Sequence, residues 1–387
     1  MTGVAGSGGV EPGMIDGHPE PFPAPMPGIP VLRRPGENTD GALSQDVAQP
    51  GVADYAAAAR ATRTWQAYRA DFRRFRGWCE QQDPPVTPLP AAPATVAAYL
   101  AAHASSHRPS TLARWGSALA VAHDLAGHPS PTRDPGVRTV LAGIRRTHWV
   151  RPERVAAASP PELRTIVAGF EPGLARDARD RALILIGFAG ALRRSELAAL
   201  TLEDLVVDGD GLRVYIAGSK TDPTGTGHTR GLAYGGHPDS CPVRAWQAWL
   251  EHRVAGLRHR QHQTPSPGAN GAADDADEHL QHGPDGDQAA ATAAAFVRID
   301  RWGNMGRTAI SGRAIAQIVG QRAAASGLDG HWAGHSLRRG FATTAYRAGQ
   351  AEIALMRHGR WRSSSAMRSY IDEGTVWLDN PTRSLGL

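Results

Sequence analysis

Lysine is almost absent from this sequence of 387 residues. Of its 42 Lys and Arg residues, only Lys220 is a lysine, so arginine supplies nearly all the positive charge. An arginine keeps its proton at neutral pH, whereas a lysine that is buried or flanked by cations can release it. Lys220 is therefore a candidate proton donor. The alternative is that it survives by chance on a solvated turn.

Cysteines and long apolar runs are also scarce. The two cysteines, Cys79 and Cys241, lie far apart and form no Cys-x-x-Cys pair. We therefore expect reduced thiols, with neither a disulfide framework nor a zinc site. No apolar run approaches the roughly 18–20 residues that cross a bilayer, and the N-terminus lacks the pattern of a signal peptide. These absences predict a cytoplasmic protein with no membrane partner.

The charge of the chain is unevenly distributed. The formal net charge is +5, but residues 1–59 hold 2 Arg against 7 acidic residues, and residues 261–295 hold 6 acidic residues and no basic one. The rest of the chain therefore carries +16. A strongly basic body with acidic appendages favours a polyanionic partner, most simply nucleic acid.

The pattern along the chain predicts two ordered domains. Residues 1–54 are rich in Gly and Pro and are predicted to be disordered. Aromatic residues then recur at helical spacing and open an all-helical domain over 55–149, in which Ser110 is the expected N-cap of the third helix. Residues 150–161 are interpreted as a linker. A mainly helical domain with a small β-sheet follows over 162–387, interrupted by a disordered acidic insertion at 261–295.

Four short motifs in the second domain carry candidate chemistry. Lys220 lies in the connection of a predicted β-hairpin, whose strands are 212–217 and 229–234. The other motifs are Gly190–Leu197, which reads GALRRSEL, His335–Gly340, which reads HSLRRG, and Gly359–Ser363, which reads GRWRS and precedes Tyr370.

Together, in this order and spacing, these motifs resemble the tyrosine recombinase, or phage integrase, family, which includes the Cre- and Xer-like site-specific recombinases. The resemblance covers the second domain, and the basic helical domain before it looks like the family's core-binding (SAM-like) domain. It implies an enzyme that cuts and rejoins double-stranded DNA without metal or cofactor. It also implies a homotetramer on paired sites in the nucleoid, and accessory proteins that bend DNA or set direction are conceivable partners.

The resemblance also implies a role for each motif residue. Tyr370 would be the nucleophile that becomes a 3′-phosphotyrosine, because a tyrosine can hold the cut end for religation. Planar arginine forks suit the charge on the phosphate, and lysine suits protonation of the leaving 5′-oxygen. Glu196 would orient the basic groups. Arg193 and Arg338 would clamp the phosphate, and Lys220 would be the general acid. His335 and Trp361 would be further donors.

Alternatives stand beside these assignments. Arg194 and Arg339 adjoin the chosen arginines and could replace them, and His358 could replace Trp361 as a donor. In the first domain, the arginines that alternate with core aromatics are the expected DNA contacts. Together with arginines from the later helices, the expected DNA contacts are Arg69, Arg73, Arg74, Arg76, Arg114, Arg145 and Arg146. The competing functions are DNA relaxation by a type IB topoisomerase-like enzyme and regulation by a catalytically inactive DNA-binding protein.

Overall fold

The described part of the chain forms two compact units, one ending at Pro152 and the other beginning at Glu153. Within it, no helix is both long and apolar enough to span a bilayer. The computed structural model describes residues 14–15, 18–19, 60–150, 153–171, 173–217, 227–262, 294–371, 380, 382 and 385.

The N-terminal segment contains one small piece of regular structure. Strand β1 (Met14–Ile15) pairs antiparallel with β2 (His18–Pro19). The Asp-Gly dipeptide between them in the sequence is typical of tight hairpin turns. The prediction of disorder over 1–54 is therefore wrong for these four residues, and the rest of that prediction lies outside the described residues.

The first unit consists of helices that mostly begin at a proline. Pro93, Pro109 and Pro135 each start a helix, where the missing N–H costs nothing and the fixed φ suits the first turn. Ser110 is thus not an N-cap, because the helix already begins at Pro109. The helices are α1 (Thr62–Glu80), α2 (Pro93–Ala102), α3 (Pro109–Leu125) and α4 (Pro135–Thr147), with a 3₁₀ turn at Pro131–Arg133.

Aromatic side chains from three helices form the core of the first unit. Phe75, Tyr99 and Trp115 are almost fully buried. The ring centroids of Phe75 and Tyr99 are 5.0 Å apart, and those of Tyr99 and Trp115 are 5.4 Å apart. Such contacts stabilise the packing beyond area burial alone. The aromatic spacing in the sequence therefore marks a core face.

The second unit is mainly helical. Its apolar helix α6 (Ala175–Ala189) packs against α8 (Pro242–His262) and α10 (Gly334–Arg347), which is why the run from Ala182 to Ile186 is buried on all sides. The helices are α5 (Pro160–Ala168), α6 (Ala175–Ala189), α7 (Arg194–Ala199), α8 (Pro242–His262), α9 (Gly312–Ala325), α10 (Gly334–Arg347), α11 (Glu352–Gly359) and α12 (Ser364–Ile371). Short 3₁₀ turns occupy Leu202–Asp204 and Pro238–Ser240.

Two small antiparallel sheets accompany these helices. The larger has the order β3 (Leu205–Val207), β4 (Gly211–Ile216) and β5 (His228–Ala233). Its register pairs Val214 with Arg230. The smaller sheet joins β6 (Val297–Ile299) to β7 (Met305–Ala309). The predicted fold class, an all-helical first domain and a mainly helical second domain with a small sheet, is confirmed.

The predicted linker, 150–161, is wrong at its C-terminal end. Ser159 caps α5, because its backbone N–H donates to Glu162 Oε2 at 2.6 Å, and Pro160 and Pro161 form the first helical turn. The preceding residues are also held in place, since the N–H of Ala158 donates to the carbonyl of Ser336 at 3.0 Å. Pro160 and Pro161, which suggested a linker, instead begin helix α5.

The predicted insertion, 261–295, is too wide at both ends. Helix α8 continues to His262, and Ala295 is fully buried. The backbone N–H of Ala295 donates to the carbonyl of Leu200 at 2.8 Å, and its carbonyl accepts from Trp249 Nε1 at 2.9 Å. The small size of Ala294 and Ala295 suits this close backbone packing. Residues 263–293 lie outside the described residues.

Candidate active site

The turn that follows α6 organises the site. The helix ends at Ala189, and Ala191 adopts a left-handed conformation with φ of 47°. The end of a helix leaves carbonyl oxygens without intrahelical partners, and its dipole favours positive charge there. Three consecutive carbonyls each accept a hydrogen bond from a basic side chain of another element. The donors are His358 Nε2 to Ala189, Arg230 to Gly190, and Arg338 to Ala191.

Arg193 follows this turn and is fixed by Glu196. Its backbone N–H donates to Glu196 Oε2 at 2.8 Å, and its guanidinium donates to Oε1 at 2.6 Å. Burial alone would raise the pKa of Glu196, but the hydrogen bonds and charge of Arg193 hold it below its ordinary value. Glu196 is therefore ionised at neutral pH and holds Arg193 by two hydrogen bonds.

Arg338 is more enclosed than Arg193. It is 1% exposed, and besides Ala191 its guanidinium donates to the carbonyl of Gly359 at 2.6 Å. It lies over the ring of Trp361 at 4.2 Å from the centroid. Burial and then the charge of Arg193 lower the pKa of Arg338 to about 10, so it remains charged at neutral pH. Its Nε is buried without a hydrogen-bond partner.

Tyr370 lies next to His335 and Trp361. The hydroxyl of Tyr370 is hydrogen-bonded to His335 Nε2 at 2.9 Å. The Tyr370 and Trp361 ring centroids are 5.6 Å apart in an edge-on arrangement. Partial burial, followed by the charges of Arg338 and Arg194, lowers the pKa of His335, so the imidazole is neutral at pH 7. A neutral imidazole at this distance can accept the phenolic proton.

Trp361 follows a tight turn at the end of α11. Arg360 caps the helix in the left-handed conformation with φ of 55°, and a Cβ on Gly359 would overlap the indole of Trp361. Trp361 Nε1 is buried without a hydrogen-bond partner. Among the described residues, Ala191 and Arg360 are the two non-glycine residues with positive φ, and both flank this site.

The neighbouring arginines have other surroundings. Arg339 donates to the carbonyl of Val155 at 2.7 Å and to that of Tyr370 at 3.4 Å, so it joins α12 to the extended segment before α5. Arg194 is exposed and packs along Gly334 at the start of α10. The imidazole of His358 donates to the carbonyl of Ala189 and stacks on the ring of Phe341.

The structure thus brings Arg193, Glu196, Arg338, His335, Trp361 and Tyr370 together in one unit. Lys220 lies outside the described residues, between the end of β4 at Ile216 and the start of β5 at His228. Sequence reasoning missed Arg230, which occupies a buried position of β5 together with Leu232. An arginine at an inward position of an alternating strand is a signal that could have revealed it.

The expected DNA contacts in the first unit are mostly exposed. Arg74 and Arg114 both pair with the buried carboxylate of Asp71, at 3.5 Å and 2.8 Å. Arg74 also lies over the ring of Trp115. These two arginines therefore have partners within the protein. The exposed candidates are Arg73, Arg74, Arg114, Arg145 and Arg146, and the half-buried ones are Arg69 and Arg76.

Comparisons with known proteins find relatives of this chain in sequence and in fold. The chain is 31% identical over 325 residues to an integrase/recombinase xerD homolog of Selenomonas ruminantium, covering 83% of this chain and 84% of the relative. A XerH site-specific recombinase bound to a palindromic difH substrate is similar in fold, with a TM-score of 0.54 and 15% identity over 86% of this chain and 81% of that one. A lambda integrase dimer bound to a COC′ core site is also similar in fold, with a TM-score of 0.50 and 16% identity over 82% of this chain and 92% of that one.

The family model described as the phage integrase family matches residues 160–375. This range includes every residue that the motifs single out, from Arg193 to Tyr370. The match spans more than half of the chain, and the curated relative exceeds 30% identity over most of it. The chain therefore belongs to the phage integrase family, the tyrosine recombinases.

Proposed function

We propose that this protein is a site-specific recombinase that cuts and rejoins DNA through a covalent bond to Tyr370. The observation that carries the proposal is the hydrogen bond of 2.9 Å between the Tyr370 hydroxyl and His335, beside the buried guanidinium of Arg338. A phenol next to a neutral base and a buried cation suits attack on a phosphodiester.

In the cleavage step, Tyr370 Oη attacks the phosphorus of one DNA strand. A bond forms between Oη and phosphorus, and the bond from phosphorus to the 5′-oxygen breaks. His335 Nε2 takes the phenolic proton, and Lys220 gives a proton to the leaving 5′-oxygen. The products are a 3′-phosphotyrosine and a free 5′-hydroxyl. Attack by a 5′-hydroxyl from another strand reverses these bond changes and rejoins the DNA.

The arginines and the indole stabilise the phosphate during this step. Negative charge develops on the non-bridging oxygens, and Arg193 and Arg338 would donate to them with charge-assisted hydrogen bonds. Trp361 Nε1 would add a neutral donor, which is consistent with its burial without a partner. Glu196 contributes by fixing Arg193 through two hydrogen bonds.

The basic body of the chain would hold the duplex. The net charge of +16 outside the two acidic segments fits contact with many phosphates, and the exposed arginines of α1, α3 and α4 are the first candidates. We propose that four copies act together on paired sites in the nucleoid. Proteins that bend the DNA or set the direction could assist.

The function is tested with a plasmid that carries two copies of repeats taken from the DNA flanking the gene. We expect the wild type to exchange the two copies, and Tyr370→Phe to bind the plasmid without exchange, because only the phenolic oxygen is lost. Relaxation of supercoils without exchange would favour the topoisomerase-like alternative. Binding with neither reaction and no covalent DNA would favour the inactive regulator.

A further inference from the structure

Arg230 is a buried arginine whose hydrogen-bonding capacity is mostly unused. It lies on β5 opposite Val214 and is 2% exposed. One terminal nitrogen donates to the carbonyl of Gly190, but Nε and the other terminal nitrogen are buried without a partner. A buried guanidinium normally satisfies its donors, since an unmet charged donor is costly. Two unmet nitrogens therefore require an explanation.

The surroundings of Arg230 are strongly positive. Its charge is attracted by the carboxylate of Glu196 and repelled by the charges of Arg338, Arg360 and Arg193. Burial and then these like charges lower the pKa of Arg230 to about 10, so it stays charged at neutral pH. Arginines thus outnumber the carboxylate among the charges that act on Arg230 and leave an excess of positive charge around it. An anion entering the cluster would relieve this repulsion.

The anchoring of Arg230 directs it to the same site as Arg338. Arg230 donates to the carbonyl of Gly190, and Arg338 donates to that of Ala191, the next residue. The two guanidinium groups are also close enough for their charges to interact. Arg338 Nε and Trp361 Nε1 are likewise buried without a partner. Donors without partners thus occur on three side chains of one cluster.

We propose that Arg230 is a third arginine of the phosphate site, which donates from its unpartnered nitrogens to the phosphate that Arg193 and Arg338 also bind. That the bound phosphate belongs to DNA rests on the proposed function. The bond to Gly190 aligns the guanidinium, so that little side-chain entropy is lost when the anion binds. The competing explanation is that Arg230 only pins β5 to the turn after α6.

The proposal is tested by calorimetric titration of the full chain with inorganic phosphate. We expect Arg230→Met to lose at least about tenfold in affinity, the effect of one charge-assisted hydrogen bond. Arg213→Met is the matched control, since Arg213 is an exposed residue of the neighbouring strand and pairs with Asp208 at 2.7 Å. It removes the same charge from the same sheet and should leave phosphate affinity unchanged.

A second variant separates phosphate binding from pinning. In Arg230→Lys the ammonium can still donate to the carbonyl of Gly190, but Nε and the second terminal nitrogen of the planar guanidinium are gone. We expect thermal unfolding near that of the wild type with phosphate affinity still reduced. Full recovery of affinity in Arg230→Lys, unchanged affinity in Arg230→Met, or no phosphate binding by the wild type would each overturn the proposal. A wild type that binds phosphate but exchanges no DNA would instead contradict the proposed function.

Discussion

The arginines of the two units are used differently. In the helical unit, Arg74 and Arg114 are exposed and pair with Asp71, and Arg74 also lies over an aromatic ring. In the second unit, Arg230 and Arg338 are buried and donate to backbone carbonyls at the end of α6. A surface arginine contributes a charge that a neighbour can replace, because solvent and salt screen it. A buried arginine that is held by a backbone carbonyl has a fixed orientation as well as a charge, and a neighbouring surface arginine cannot supply that orientation.

The single lysine, Lys220, extends the comparison to a basic group that can release its proton. If Lys220 is the general acid, Lys220→Arg should lose about 10²–10⁴ in cleavage rate although the charge is kept, because arginine holds its proton too tightly. The measurement is single-turnover cleavage of a DNA substrate. A matched substrate carries sulfur in place of the leaving 5′-oxygen, which departs without a proton and should largely restore Lys220→Arg. Arg338→Ala should gain nothing from sulfur, and if Lys220→Arg also gains nothing, Lys220 has another role.

The comparison between the units is sharpened by one substitution in each. Arg338→Ala should lower the cleavage rate by about 10²–10³, the effect of removing one donor from a preorganised charge site. Arg146→Ala, on the exposed end of α4, should lower DNA affinity a few-fold and reduce the salt slope of binding by about one. Rates come from single-turnover gels, and affinities from binding titrations at several salt concentrations. Equal losses of cleavage rate in both variants, at saturating protein, would break the distinction.

A smaller effect is expected on the stability of the helical unit, where a histidine is buried. His123 of α3 is fully buried, accepts from the N–H of Ala91 at 2.8 Å and donates to the carbonyl of Leu119 at 2.7 Å. These bonds need the neutral imidazole, and burial lowers the pKa of His123. The unfolded state therefore binds the proton first. Stability should be complete above about pH 6.5 and fall below it, by up to about 1.4 kcal/mol per pH unit.

This pH effect is measured by hydrogen exchange of the segment that contains Ala91, after correction for the intrinsic rate at each pH. His148→Gln, at the end of α4, is the control and should keep the decline. His123→Gln should flatten it. A decline of the same size in His123→Gln would assign the pH dependence to another group.

Sequence patterns predicted the parts of the molecule that depend on local spacing. The aromatic repeat of α1 marks its core face, and the i, i+3 spacing of His335 and Arg338 puts both on α10. Helix α7 was missed, because six residues are too few to display a helical period. The C-terminal end of the acidic insertion was missed because Ala294 and Ala295 gave no sign of burial.

The tertiary contacts of the site could not be predicted in this way. Arg230 meets Gly190 across 40 residues of sequence, and no local pattern encodes that pairing. The same holds for Ala191, whose left-handed conformation depends on hydrogen bonds with residues that are distant in sequence, such as the one from Arg338 to its carbonyl. The motifs therefore identified which residue types meet, but not the turn that brings them together.

The most direct test of the account is to locate the covalent bond. The wild type is trapped on a nicked DNA substrate that cannot religate, the complex is digested with trypsin and nuclease, and the modified peptide is sequenced by mass spectrometry. The account predicts a nucleotide joined through its 3′-phosphate to Tyr370, together with a free 5′-hydroxyl on the released strand. DNA linked to any other residue, or a linkage through a 5′-phosphate, would contradict it.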